Sequence, residues 1–290
     1  MSVKELPELN KVLIITGMHR SGTSLVTQWL HTCGLHVGEE LLSGSVSNQD
    51  GHFEDMEFLK MHEDILRDEG VLPSGLHADK SILPTEYQKS RMASVVAVKN
   101  RLYKQWGWKE PRTCLFLKSY KEILPSANYL IVFRDYQSVV GSLLKREFMP
   151  IDQKFLARDW FSRKAWIHYR RKRKIAKHYQ EYAPKYLKAW IVYNQAILDL
   201  IINIPKNQSL VISYELLKNK SAEVFDFLTT KWDFELEYNG FLTIYKESLI
   251  SNRINFINYV DDSALIMEAN KLNDSFVHYL EQDFKKDNLL

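Results

Sequence analysis

The sequence predicts an α/β fold, a parallel sheet flanked by helices in three layers, with extra helices toward the C-terminus. Three observations point there. Short apolar runs alternate with helical patterns along the chain. The two strongest runs, Val12-Leu13-Ile14-Ile15 and Tyr129-Leu130-Ile131-Val132-Phe133, are continuously apolar, as strands buried on both faces require. Between the first run and the helix that follows, Gly17 and Gly22 bracket a loop of four residues. That strand, G-x-x-x-x-G, helix layout holds phosphates on backbone N–H groups at a helix N-terminus.

The elements follow in order. After the first strand, Thr23 and Ser24 open a helix with Leu25, Val26, Trp29, Leu30 and Cys33 on one face, stopped by Gly34. A polar loop over residues 43–51 comes next, in the class of loops that act as lids or substrate contacts. Helices are expected from about Glu54 to Asp68 and from about Glu86 to Lys104, then a short strand at residues 105–109 closed by Glu110-Pro111. Thr113 is the expected cap of a helix carrying Leu115, Phe116, Leu117, Tyr120, Ile123 and Leu124. Behind the second strong strand come Arg134-Asp135 and a helix from about Gln137 to Arg146. Long helices fill residues 155–203, Leu210-Val211-Ile212 is a further strand, and residues 263–284 carry a helical apolar pattern.

At 290 residues, 45% hydrophobic and 26% charged, the composition is that of a globular protein, read as one domain over residues 1–290. A net charge of +3 gives no reason to expect nucleic acid. Cys33 and Cys114 sit among apolar positions, with no disulfide framework, and the nine histidines lack metal-ligand spacing, so no metal is expected. The N-terminal MSVKELPELN has no apolar core and no run is long enough to span a bilayer, which predicts a soluble, cytoplasmic protein.

The loop departs from that of a nucleotide triphosphatase at one position. A lysine would follow the second glycine to reach the β/γ-phosphates, and here that residue is Thr23. A magnesium triphosphate is therefore not the expected ligand. Arg134 stands at the carboxyl end of a strand with Ser142 eight residues on, so a guanidinium and a hydroxyl are available to grip a phosphate. The structural alternative is an ion pair of Arg134 with Asp135 or Glu147.

Taken together, GMHRSGTS, GWKEPRT and FRDYQSVVGSLLKRE resemble the sulfotransferase family, whose donor is 3′-phosphoadenosine 5′-phosphosulfate (PAPS). The resemblance spans residues 11–146 and returns at Ile212-Ser213-Tyr214-Glu215-Leu216-Leu217. It implies a P-loop-like fold in which Arg20, Ser21, Gly22, Thr23 and Ser24 surround the 5′-phosphosulfate and Arg134 and Ser142 take the 3′-phosphate. It further implies Tyr214 at the adenine and Lys109 at the sulfate, as in tyrosylprotein sulfotransferases and bacterial carbohydrate-type members. The pattern departs at Glu110, where relatives have aspartate, and at Ser138. No Arg-Lys-Gly motif follows near the C-terminus, where Lys246 and Arg253 are the nearest substitutes.

Sulfuryl transfer needs in-line positioning and charge stabilisation at the leaving oxygen, which Arg20 and Lys109 suit, and a base for the acceptor proton. Glu54 is the first candidate base, Glu40 its rival and His52 behind both; acidic residues at helix N-termini also have a purely structural use. The expected acceptor is a hydroxyl, of a carbohydrate rather than a peptide tyrosine. The competing functions are a P-loop-type nucleotide or small-molecule kinase and a non-catalytic nucleotide- or glycan-binding module.

Two features stand apart from this set. The run RKAWIHYRRKRK, opening at Arg163 and closing at Lys174, reads either as a docking strip for an anionic polymer or a membrane surface, or as a solvated helix face with Trp166 and Tyr169 turned inward. Of Trp106 and Trp108, at least one is expected in the core, with the other available to line the acceptor pocket.

Overall fold

The computed structural model describes residues 10–42, 51–245 and 254–283. Most of the polar loop at 43–50, together with Lys246 and Arg253, lies outside the described residues. Four parallel strands, β1 (Lys11–Thr16), β2 (Gln105–Lys109), β3 (Asn128–Val132) and β4 (Ser209–Ile212), pair in the order β2-β1-β3-β4. All four sit where the sequence places them, three on apolar runs and β2 on the short segment closed by Glu110-Pro111.

The period of two along each strand divides the core into two layers. Val12 and Ile14 of β1, Tyr129 and Ile131 of β3 and Val211 of β4 face the larger layer. Helices α2 (Met56–Asp68), α3 (Glu86–Leu102), α4 (Leu117–Ile123), α5 (Tyr136–Leu156) and α7 (Arg171–Asn203) contribute to that layer, as does the C-terminal α9 (Ser263–Asp283). Leu13, Ile15, Leu130, Val132, Leu210 and Ile212 face the smaller layer, built with α1 (Thr23–Thr32) and α8 (Tyr214–Asp226). Helices therefore cover both faces, and every strand ends its carboxyl side in the same direction, toward Gly17, Lys109, Arg134 and Tyr214.

Several expectations are corrected. Helix α2 starts at Met56, because Asp55 is its cap and accepts from Glu57 N at 2.8 Å; Glu54 lies before it, beside the Leu41–Asp55 bridge. Thr113 caps nothing: it is buried inside a 3-10 turn (Pro111–Phe116), where its hydroxyl accepts from Trp108 Nε1 at 3.1 Å. Trp106 and Trp108 are two residues apart, so they share one face, and both are buried against Phe58 in the larger layer. Neither reaches solvent.

Helix α5 runs ten residues beyond the expected end, through Pro150, because Phe148 and Phe155 stack on Trp166 and hold it there. The helices expected over 155–203 are α6 (Trp160–Ala165), a π turn (Trp166–Arg170) and α7, after the last turn of α5. Trp166 is buried as expected, but Tyr169 points out, at 76% exposure. No helix among the described residues is long and apolar enough to cross a membrane.

Candidate active site

The loop between β1 and α1 is shaped by its two glycines. Gly17 leaves β1 so close to β3 that a Cβ would run into the Val132 carbonyl. Gly22 caps α1 at φ 96°, and a Cβ there would press on the Tyr214 ring at 3.1 Å. No side chain caps α1, so its first-turn N–H groups present the positive end of the helix dipole to the loop. Ser21 and Thr23 are buried, and Ser21 N closes the turn on the Met18 carbonyl at 3.1 Å. Arg20 holds a left-handed backbone at φ 70°, a conformation that costs a non-glycine residue roughly 1 kcal/mol or more.

One group of residues converges at the end of β2. Lys109, the last residue of that strand, is fully buried. Its ammonium reaches Glu54 Oε1 at 3.0 Å, Ser24 Oγ at 3.3 Å and the His52 carbonyl. Three N–H donors thus meet three oxygens, and only one of those carries charge. Burial pushes the Lys109 ammonium below the ordinary lysine value, and Glu54 counters part of that shift. Glu54 is itself buried at 6% exposure, whereas Glu40 is exposed and joins the segment only through its backbone, accepting from Met56 N at 2.9 Å.

A second group gathers around the end of β3. Arg20 Nε donates to Ser142 Oγ at 3.0 Å, and Arg134 Nη1 donates to the Arg20 carbonyl at 3.0 Å. The Arg134 guanidinium lies 5.2 Å from the centre of the Tyr214 ring, within cation–π range. Its Nε is buried with no hydrogen-bond partner. Burial, with the cations Arg146 and Arg134 close by, lowers Arg20 to about 10. Glu147 pairs with Arg146 at 2.9 Å, and neither Arg20 nor Arg134 carries a salt bridge among the described residues. An uncompensated guanidinium pair, an orphaned buried N–H and an uncapped helix start all fit an anionic ligand.

Other residues enter that the sequence marks only weakly. Glu110, next to Lys109, is buried between His62 Nδ1 at 2.6 Å and Arg112 Nη1 at 2.5 Å, and His62 Nε2 continues to the Tyr120 hydroxyl at 2.7 Å. Burial alone would raise the Glu110 carboxyl, but Arg112 and His62 overcome it and bring it to about 2. This network fixes the backbone that follows Lys109. His19, inside the loop, lies 6.0 Å from the Tyr193 ring, and its Nε2 and the Tyr193 hydroxyl are both buried without partners. Burial and then Arg112 push His19 well below the ordinary histidine value. Only the GWKEPRT context pointed to Glu110 and Arg112, and nothing in the sequence tied His62 or Tyr193 to them.

Around these residues, the expected set divides into two. Lys109, Glu54 and Ser24 meet at β2; Arg20, Arg134, Ser142 and Tyr214 meet at β3, with Gly22 packed on Tyr214 between them. Glu40 belongs to neither.

A family model described as the sulfotransferase family matches residues 13–235. Sulfotransferase STF9 from Mycobacterium avium aligns with a TM-score of 0.51 at 13% identity, covering 96% of this chain and 77% of that one, a likeness of fold. The sulfotransferase domain of the Synechococcus PCC 7002 olefin synthase aligns with a TM-score of 0.46 at 13% identity over 96% of this chain and 98% of that one. No curated protein matches the sequence. With the family match spanning most of the chain and a phosphate-type loop at its start, the protein belongs to the sulfotransferase family and is a sulfotransferase.

Proposed function

We propose that the protein moves a sulfuryl group from PAPS to the hydroxyl of a carbohydrate or glycan acceptor, acting as a single domain over residues 1–290. The observation that carries this reading is the meeting of Lys109, Glu54 and Ser24 at the mouth of the loop. A buried cation and a buried carboxylate, 3.0 Å apart beside a phosphate-type loop, are what a transfer with a leaving oxyanion and a departing proton needs. When bound, the donor supplies a sulfuryl group already activated on a 5′-phosphate.

Each role then falls to a named side chain. Ser21, Gly22, Thr23 and Ser24 receive the 5′-phosphosulfate on backbone and hydroxyl groups, with Arg20 adding charge. Arg134 and Ser142 receive the 3′-phosphate, and Tyr214, already under the Arg134 guanidinium, stacks on the adenine. Lys109 exchanges its longest contact, Ser24 at 3.3 Å, for the oxygen that leaves sulfur, and donates to it as negative charge builds there. Glu54 accepts the acceptor hydroxyl proton as the new S–O bond forms. Its burial beside Lys109 favours it over exposed Glu40 for that role. The choice of carbohydrate over tyrosine rests on the motif resemblance of residues 105–134.

The test is calorimetric titration with 3′-phosphoadenosine 5′-phosphate, AMP, and ATP with magnesium, on the parent protein and on Arg134→Ala. The first ligand is expected to bind tightest, and the variant to lose most of the preference over AMP. Equal affinity for AMP, or preference for magnesium ATP, would overturn the donor assignment. Turnover on saccharides but not on tyrosyl peptides checks the acceptor; the reverse would replace it.

A further inference from the structure

The region joining α5 to α7 has a surface that the sulfuryl-transfer reading leaves unused. Helix α6 buries none of its six residues. It is held helical by its cap, since the Asp159 carboxylate accepts from Phe161 N and Ser162 N at 3.1 Å each. Trp160 and Phe161 are 55% and 77% exposed, and Leu156, Ile167 and Tyr169 extend the apolar surface at 38%, 49% and 76%. Free water-facing aromatics at this density are costly unless something covers them. Only Trp166 turns inward, stacked on Phe155 with its Nε1 donating to Asp152 at 2.9 Å.

The charge around this surface has one sign. Residues 154–177 hold ten Lys or Arg and a single acid, Asp159, already used as the cap. Arg171 is tied to Asp152 by bonds of 2.8 and 2.7 Å, which lock α7 to α5. Lys172, Arg173 and Lys174 on the next turn stay exposed, as do Arg163 and Lys164 on α6. Lys164 rests its ammonium 4.8 Å from the Trp160 ring centre, so cation and aromatic present one face.

We propose that this head docks on the surface of an anionic lipid bilayer. Exposed Trp, Phe and Tyr set among Lys and Arg suit the boundary between headgroups and acyl chains. A soluble polyanion would use the cations, but it offers no apolar phase for Phe161, Ile167 and Leu156. A second copy of the chain would bring like charge against like charge. Helix α5 links the head to the donor site: from Ser142 to Leu156 is about 20 Å of helix, so docking holds the site within about that distance of the docked end of α5. The inference is independent of the donor and acceptor assignments.

Co-sedimentation of the full chain with phosphatidylcholine vesicles, with and without phosphatidylglycerol, tests it. Binding is expected only to the anionic vesicles and falls as salt rises. The double variant Trp160→Ala with Phe161→Ala, which keeps every charge, is expected to weaken partitioning by about tenfold or more while its circular dichroism is unchanged. Absence of binding to anionic vesicles, or binding that the double variant leaves intact, would overturn the proposal. So would heparin binding tighter than vesicle binding and indifferent to the aromatic pair, which would make the head a polyanion grip.

Discussion

Lys99 and Lys109 are both withdrawn from solvent, at 1% and 0% exposure, and both reach into the same short segment around residues 52–57. Their surroundings differ. Lys99, on α3, meets three carboxylates: Asp55 at 3.0 Å, Glu57 at 2.8 Å and Glu39. Burial pulls its ammonium down, but the three carboxylates more than reverse that and hold it above an ordinary lysine. Lys109 has one carboxylate and two neutral oxygens, and burial leaves it below an ordinary lysine. The first lysine is surrounded by excess negative charge and works as an internal clamp on Asp55, the residue after Glu54. The second has room in its charge balance for one more anion, and it lies beside the loop that would deliver it.

Removing Lys109 is the strongest way to test this contrast. Lys109→Ala should lower kcat by about 10²–10³, the scale of losing one donor to a developing oxyanion, with donor affinity nearly kept. Steady-state kinetics with calorimetry separates the two quantities. A large affinity loss at unchanged kcat would make Lys109 a ground-state contact like any other.

Lys99→Met probes the other side. It strands Asp55, only 2% exposed, without its counter-ion, and should destabilise the fold by about 3 kcal/mol, seen as a lower denaturant midpoint at an unchanged m-value. Residual activity should follow the folded fraction. If the midpoint does not move, the three carboxylates are not using Lys99 as their clamp, and the distinction between the two lysines fails.

How far the sequence reveals these two lysines follows from the range of the interactions. Lys109 is legible because it closes a strand and precedes Glu110-Pro111, in a motif that resembles a known family. Lys99 is invisible: its partners lie 42 to 60 residues away along the chain, and a lysine in an amphipathic helix normally faces water. β1, β3 and β4 are legible as apolar runs, and β2 through the alternation of its tryptophans and the Glu110-Pro111 stop after it. Their order is not, because every one of them suits a central position. The Lys109–Glu54 pairing is half legible. Each residue stands out by its own motif, but the His52 carbonyl that completes the ammonium's bonds is backbone and leaves no mark in residue type. The period of two puts Trp106 and Trp108 on one face of the strand expected at 105–109, but which layer that face meets is set by Phe58, about 50 residues away along the chain.

The pH dependence separates the two lysines most finely. Because Lys109 is lowered by burial, the folded protein gives up that proton at a pH where the unfolded chain, with lysine near about 10.4, still holds it; its stability contribution therefore rises with pH in that window. Lys99 is raised, so its contribution is complete below the ordinary lysine value and is lost as pH climbs through its higher folded value. Activity that needs the Lys109 ammonium should then fall on the alkaline side before an ordinary lysine titrates. Lys109→Arg, which stays charged throughout, should move that fall to higher pH even if the longer guanidinium lowers the plateau several-fold. Lys99→Arg should leave the alkaline limb of kcat/KM in place. An identical limb in the parent and in Lys109→Arg would assign the titration to another group and dissolve the distinction between a lysine that clamps and one that takes part in the transfer.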